Sequence, residues 1–140
     1  VSLAANAFRS FVRRSDDARL ERTIGSPRGL RFLFTRVARA YEPAQAPTDF
    51  TGELGFALHT ADGTPRPWTI AIDAADGAHA HAGLATAPVA TVRATVADLI
   101  RIAAGELDSG AALLDGRLDL EGDFAVASRL GAMFGRSGPY

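Results

Sequence analysis

The side chains with the clearest potential for chemistry are His79 and His81, separated by Ala80. Two residues apart on a strand, both imidazoles point to one face, which is the geometry of a two-histidine metal fork. A third ligand would have to come from His59 or Asp73 on the preceding strands. The hairpin register decides which face the pair occupies. A two-residue Asp76-Gly77 loop sets His81 opposite Ile72, on the apolar face. A three-residue loop starting at Ala75 sets His79 opposite Asp73, on the polar face. Solvated strand histidines are the favoured reading, and no metal is assigned. Histidines lining a cavity and a metal fork stand as alternatives. Because imidazole titrates near neutral pH without special tuning, His79 or His81 is also where an acid–base enzyme would have to be built.

The rest of the chain offers little to a catalyst. GxSxG, GxGxxG, HExxH and the phosphate-binding loop are all absent. No cysteine occurs, which excludes disulfides, thiol catalysis and cysteine zinc sites. All 15 basic residues are Arg, so Schiff-base chemistry has no lysine to use. The carboxylates are scattered through turns and solvent-facing strand positions, and none forms an acid/base couple. No catalytic residue and no cofactor is assigned.

Charge is uneven along the 140 residues. Residues 1–42 carry nine Arg against four acids, and residues 43–140 six Arg against twelve acids. The chain reads as a basic helical arm, 1–46, on an acidic body, 47–140, in one compact unit. Such an arm docks on its own acidic body or meets an anionic surface such as a membrane. With net charge −1, nucleic acid is not an expected partner. The longest stretch free of Asp, Glu and Arg, Gly77 to Val92, is too short to span a bilayer. Arg9, Arg13 and Arg14 interrupt any apolar leader, so a cytoplasmic protein is expected.

Periodicity gives the elements that must position these residues. A first helix is expected over Leu3 to Leu20, with Ala4, Phe8, Phe11 and Val12 on one face. Ser26-Pro27 opens a second helix that runs to about Tyr41, on a stripe of Leu30, Leu33, Phe34, Val37 and Tyr41. Glu42 to Pro47 is a linker. The period then switches to two. Strands are expected over Phe50–His59, Trp68–Asp73, Ala78–Leu84 and, briefly, Val89–Arg93. Helices follow over Thr95–Ala104 and Ser109–Leu114, then a strand over Arg117–Glu121. Gly122-Asp123 caps a last helix with Phe124, Ala127, Leu130 and Phe134 on one face. Antiparallel strands with helices clustered before and after them make an α+β domain.

From about Phe50 to Phe134 this pattern resembles the sterol carrier protein 2 (SCP2) family. The resemblance rests on Gly52-Glu53-Leu54-Gly55-Phe56, on Trp68-Thr69-Ile70-Ala71-Ile72-Asp73, on Ile102-Ala103-Ala104-Gly105 and, most specifically, on Asp115-Gly116-Arg117-Leu118-Asp119-Leu120-Glu121-Gly122-Asp123. It implies a mostly antiparallel five-stranded sheet covered by helices, with an apolar tunnel that binds lipids. It carries over no catalytic residue. The all-Arg, Ala-rich composition adds the expectation of a bacterial stand-alone member. The expected function is non-catalytic binding and transfer of a lipid or other apolar molecule. An accessory module serving a partner enzyme is the alternative, ahead of a small enzyme using His79 or His81. Candidate lining residues are Phe56, Trp68, Ile70, Leu99, Ile100, Leu114, Phe124, Ala127, Leu130 and Phe134. Phe8 and Phe11 are candidates for a lid. Arg9, Arg13, Arg28 and Arg31 are candidates for contact with an anionic surface.

Overall fold

The computed structural model describes residues 3–134; residues 1, 2 and 135–140, the outer ends of the two predicted segments, lie outside it. Helix α1 spans Leu3–Arg14, α2 Asp17–Arg22 and α3 Pro27–Arg39. After a 3-10 turn over Pro43–Gln45 come strands β1 (Gly52–His59), β2 (Trp68–Asp73), β3 (Gly77–Ala82) and β4 (Pro88–Thr95). Helices α4 (Val96–Ala103) and α5 (Ser109–Leu114) precede β5 (Leu118–Gly122), and α6 (Phe124–Ala127) and α7 (Leu130–Met133) close the described chain.

Local capping chemistry sets most of these boundaries. The expected helix over Leu3–Leu20 is in fact two. The Ser15 hydroxyl donates back to the Phe11 carbonyl at 2.7 Å. Asp16 then caps a new helix by accepting the Arg19 N–H at 2.8 Å. Ser26 caps α3 with Pro27 in its first turn, as the sequence indicates. Thr95, Asp108 and Asp123 cap α4, α5 and α6 by accepting backbone N–H groups. The last helix is also split, between Ser128 and Leu130. Ser128 and Gly131 are weak helix formers. The buried residues there are Val126, Met133 and Phe134; of the expected stripe Phe134 is buried, Ala127 and Leu130 are half-buried and Phe124 is exposed.

The five strands lie in the order β3-β2-β1-β4-β5. All neighbours are antiparallel except β1 and β4, which run parallel. A parallel pair needs a crossover. Here the chain returns through Gly83–Ala87 across the face opposite α3. Gly55 lies beneath it: a Cβ there would sit 3.6 Å from the Ala85 Cβ, an ordinary contact, and 3.3 Å from the Thr91 hydroxyl of β4. The crossover is pinned by Thr69, whose hydroxyl donates to the Gly83 carbonyl at 2.9 Å. The Ala87 N–H donates to Glu53 at 2.9 Å.

One face of the sheet carries Leu54, Phe56, Leu58, Trp68, Ile70, Ile72, Val92 and Leu118, all buried in a single apolar cluster. Val12, Leu20, Leu30, Leu33 and Phe34 belong to that cluster, so the Arg-rich segment helps to build the core. Arg101 of α4 clamps the segment down. Its guanidinium donates to the Ser15 carbonyl at 2.9 Å and the Val12 carbonyl at 3.2 Å, and pairs with Asp17 at 2.8 Å. Gly25 allows the close approach: a Cβ there would lie 2.6 Å from the Val96 Cγ1. Among the described residues no helix is long and apolar enough to cross a membrane.

Candidate ligand-binding site

The most concentrated apolar packing lies where α3 covers the β3–β2 side of the sheet and Phe34 reaches in to the rings of Trp68 and Phe56. Phe34 stacks on Trp68 with ring centroids 5.1 Å apart and planes 3° apart. Its edge meets Phe56 at 5.0 Å and 65°. Leu30, Leu33 and Ile70 complete this layer, all buried. At the far end Tyr41 leans on Phe134 at 5.7 Å, and burial raises the Tyr41 hydroxyl above its ordinary pKa. The layer is closed by aromatic rings in contact, so a ligand between sheet and α3 would have to part them.

Two hollows flank α3. The first, about 430 Å³, runs along its outer face between Arg28, Arg31, Phe32, Thr35, Arg36 and Arg39. Phe32 is 67% exposed, and the Arg36 guanidinium lies 5.6 Å from its ring centre. These positions recur at three and four, so one stripe of the helix is cationic with an aromatic at its centre. The second hollow, about 220 Å³, opens between the first turn of α3 and the β1–β2 connection. Its walls are Pro27, Leu30, Arg31, Pro65, Arg66, Pro67, Trp68, Ala82 and Gly83. Trp68 is thus shared by this hollow and by the aromatic layer.

Comparison with protein families matches residues 36–135 to the SCP-2 sterol transfer family. The chain belongs to that family. Solved structures agree. The crystal structure of Sterol Carrier Protein 2 Like 2 from Aedes aegypti matches at 25% identity and a TM-score of 0.57, over 74% of this chain and 94% of that one. The solution structure of palmitated SCP2L2 from Aedes aegypti matches at 23% identity and a TM-score of 0.61, over 79% and 93%. The inverting sec-alkylsulfatase Pisa1 from Pseudomonas sp. matches at 22% identity and a TM-score of 0.54, over 74% of this chain and 15% of the enzyme. No curated protein matches the chain.

In this SCP-2 chain, Phe56, Trp68, Ile70, Ile100 and Phe134 are buried in one cluster. Leu99, Ala127 and Leu130 are half-buried against it. Two expected lining residues do not face inward. Leu114 is 90% exposed at the end of α5, and Phe124 is 83% exposed in the first turn of α6. Short helices with one buried residue each, Ala112 and Val126, leave their other apolar side chains outside. Phe8 and Phe11 are partly buried against the core, with the Arg19 guanidinium 4.9 Å from the Phe11 ring centre. Arg13, Arg28 and Arg31 are exposed, and Arg9 is half-buried. The side chain of Ala4 lies outside the described residues.

The histidine pair takes neither expected register. Asp73 pairs with Gly77 across a three-residue connection beginning at Ala74, which puts His79 opposite Ala71 and His81 opposite Thr69. Both rings are exposed on the face away from Ile70 and Ile72. His81 Nδ1 has only the neighbouring Ala82 carbonyl, at 3.2 Å. Among the described residues no three His, Asp or Glu side chains converge as metal ligands would. Residues passed over by the sequence reading are Phe34 as a partner of Trp68, Phe32, Arg36 and Arg39 on the outer stripe, and Arg66. The Pro65-Arg66-Pro67 run before Trp68 was the available signal for Arg66.

Proposed function

We propose that this SCP-2 chain is a non-catalytic carrier that holds the alkyl part of a lipid in the apolar layer between α3 and the sheet. The observation that carries the reading is the Phe34–Trp68–Phe56 cluster under α3. Only side-chain packing holds those rings together, so α3 can shift outward and re-close on a tail. The family match and the palmitated Aedes relative support a lipid as the occupant. Each methylene taken from water contributes roughly 0.8 kcal/mol. About ten of them supply roughly 8 kcal/mol before ordering costs, which suits micromolar affinity and permits release. The cationic outer stripe of α3 supports loading at an anionic lipid surface.

The test is native mass spectrometry of purified protein, then organic extraction and lipid analysis, with Trp68 fluorescence as the solution readout. Trp68 is the only tryptophan. The expected result is a stoichiometric co-purified lipid, or saturable quenching when a C16 fatty acid is added to ligand-free protein. Protein that is ligand-free and indifferent to the fatty acid would sink the reading.

A further inference from the structure

We propose that the smaller hollow is the seat of an anionic head group, a carboxylate or phosphate held by Arg66 and Arg31 beside Trp68, so that the lipid carried is an anionic amphiphile. This rests on the carrier reading above and adds the class of ligand.

Arg66 is the decisive residue. Pro65 and Pro67 fix the backbone on either side of it. Its own N–H donates to the Leu58 carbonyl at 2.8 Å, and the Gly83 N–H donates to the Pro67 carbonyl at 2.9 Å. The loop is therefore anchored to β1 and to the end of β3. Despite that rigid mount, the guanidinium is poorly served. Its Nε is buried with no hydrogen-bond partner, and Nη1 reaches only the Pro65 carbonyl, at 3.4 Å. Among the described residues neither Arg66 nor Arg31 pairs with a carboxylate. Asp62, on the same connection, is held by the Thr60 and Thr64 hydroxyls. A buried N–H without a partner is costly, and an oxyanion across the guanidinium fork would satisfy it.

The remaining walls suit what must follow such a head. Pro27, Pro65, Pro67, Leu30 and the Trp68 ring are apolar. The hollow, about 220 Å³ and open to solvent on one side, suits a head group and its first carbons. Because Trp68 also stacks on Phe34, the rest of a tail would pass directly into the layer under α3.

The same anion could come from free phosphate or from an amphiphile, and the experiment separates them. Trp68 fluorescence is titrated with dodecanoate, dodecyl phosphate, dodecanol and inorganic phosphate, on the wild type and on Arg66→Gln, Arg66→Lys and Arg31→Gln. The charged amphiphiles are expected to bind about tenfold or more tighter than dodecanol. Arg66→Gln should erase that advantage while dodecanol affinity stays within about twofold, which also reports that the variant is folded. Arg66→Lys, which keeps the charge but loses the fork, should recover part of it. Equal affinity for dodecanoate and dodecanol would overturn the head-group seat and leave the carrier reading standing. Inorganic phosphate binding as tightly as dodecyl phosphate would overturn it in favour of a plain anion site. Failure of every amphiphile to bind would remove both readings together.

Discussion

Trp68 does three things at once: it begins β2, stacks on Phe34 and walls the small hollow. Its inward placement was legible from strand alternation, because Trp68, Ile70 and Ile72 share a period of two. Phe34 as its partner was not legible, since periodicity orients each element but does not say which faces meet. The histidine pair shows the same limit. Its face depended on a one-residue choice of loop, and the chain takes a third register. At this scale one pH effect follows from the turn after β1. Hydrogen bonds from Thr60 and Thr64 hold the Asp62 carboxyl down to about 2. A folded value below the unfolded one, about 3.9, means stabilisation present above that unfolded value. It is lost as pH falls from about 4 through about 2. The expected outcome is an Asp62 side-chain carbon that titrates near 2 by NMR, and an Asp62→Asn protein whose loss of stability relative to wild type is full at pH 6 and smaller at pH 2.5. A titration midpoint near 4 would contradict it.

Helix starts were the most legible elements, because a cap is a local bargain between one side chain and the next turn. Ser26, Thr95, Asp108 and Asp123 all behave so. The break at Ser15-Asp16 obeys the same rule, although the expected helix runs through it to Leu20. Strand β4 is expected only over Val89–Arg93 and runs over Pro88–Thr95. Its length comes from β1 on one side and β5 on the other. The α1–α2 pair is held to α4 by a polar clamp, Arg101, whose side chain is 19% exposed. Replacing it with Met keeps the aliphatic stem but strands two carbonyls, at a cost of about 2 kcal/mol. Hydrogen exchange of Arg101→Met should therefore rise by up to about thirtyfold in residues 3–22, while amides of β1, β2 and β4 change far less. A uniform rise across the sheet would mean that the clamp supports the whole fold and that the pair has no opening of its own.

At the scale of the whole molecule, charge is divided unevenly along the chain. The segment to residue 42 carries the excess of Arg and the remainder carries the excess of acid. Its docking by Arg101 and Glu21, which accepts the Ala61 N–H at 2.7 Å, leaves the outer stripe of α3 free. That stripe puts four Arg around an exposed Phe32, a cationic face that an anionic lipid surface would attract. Each Arg near an anionic surface contributes about 1 kcal/mol, screened beyond about 8 Å at physiological salt. An anionic surface would repel the acidic body, which would orient the molecule with α3 toward it, beside the layer proposed to receive the tail. Arg36→Glu/Arg39→Glu is the variant to make, because it spares Arg31 and the small hollow. Its partition onto vesicles containing phosphatidylserine should fall at least about thirtyfold, with binding to pure phosphatidylcholine unchanged and weak. Phe32→Ser should weaken the anionic binding and keep its salt dependence, since it removes burial and no charge. Co-sedimentation that ignores the two reversals, or that is equal on neutral and anionic vesicles, would show that α3 meets something other than an anionic lipid surface. Dodecanol binding, which depends on the layer beneath α3, is expected to survive the reversals, so transfer and holding can be lost separately.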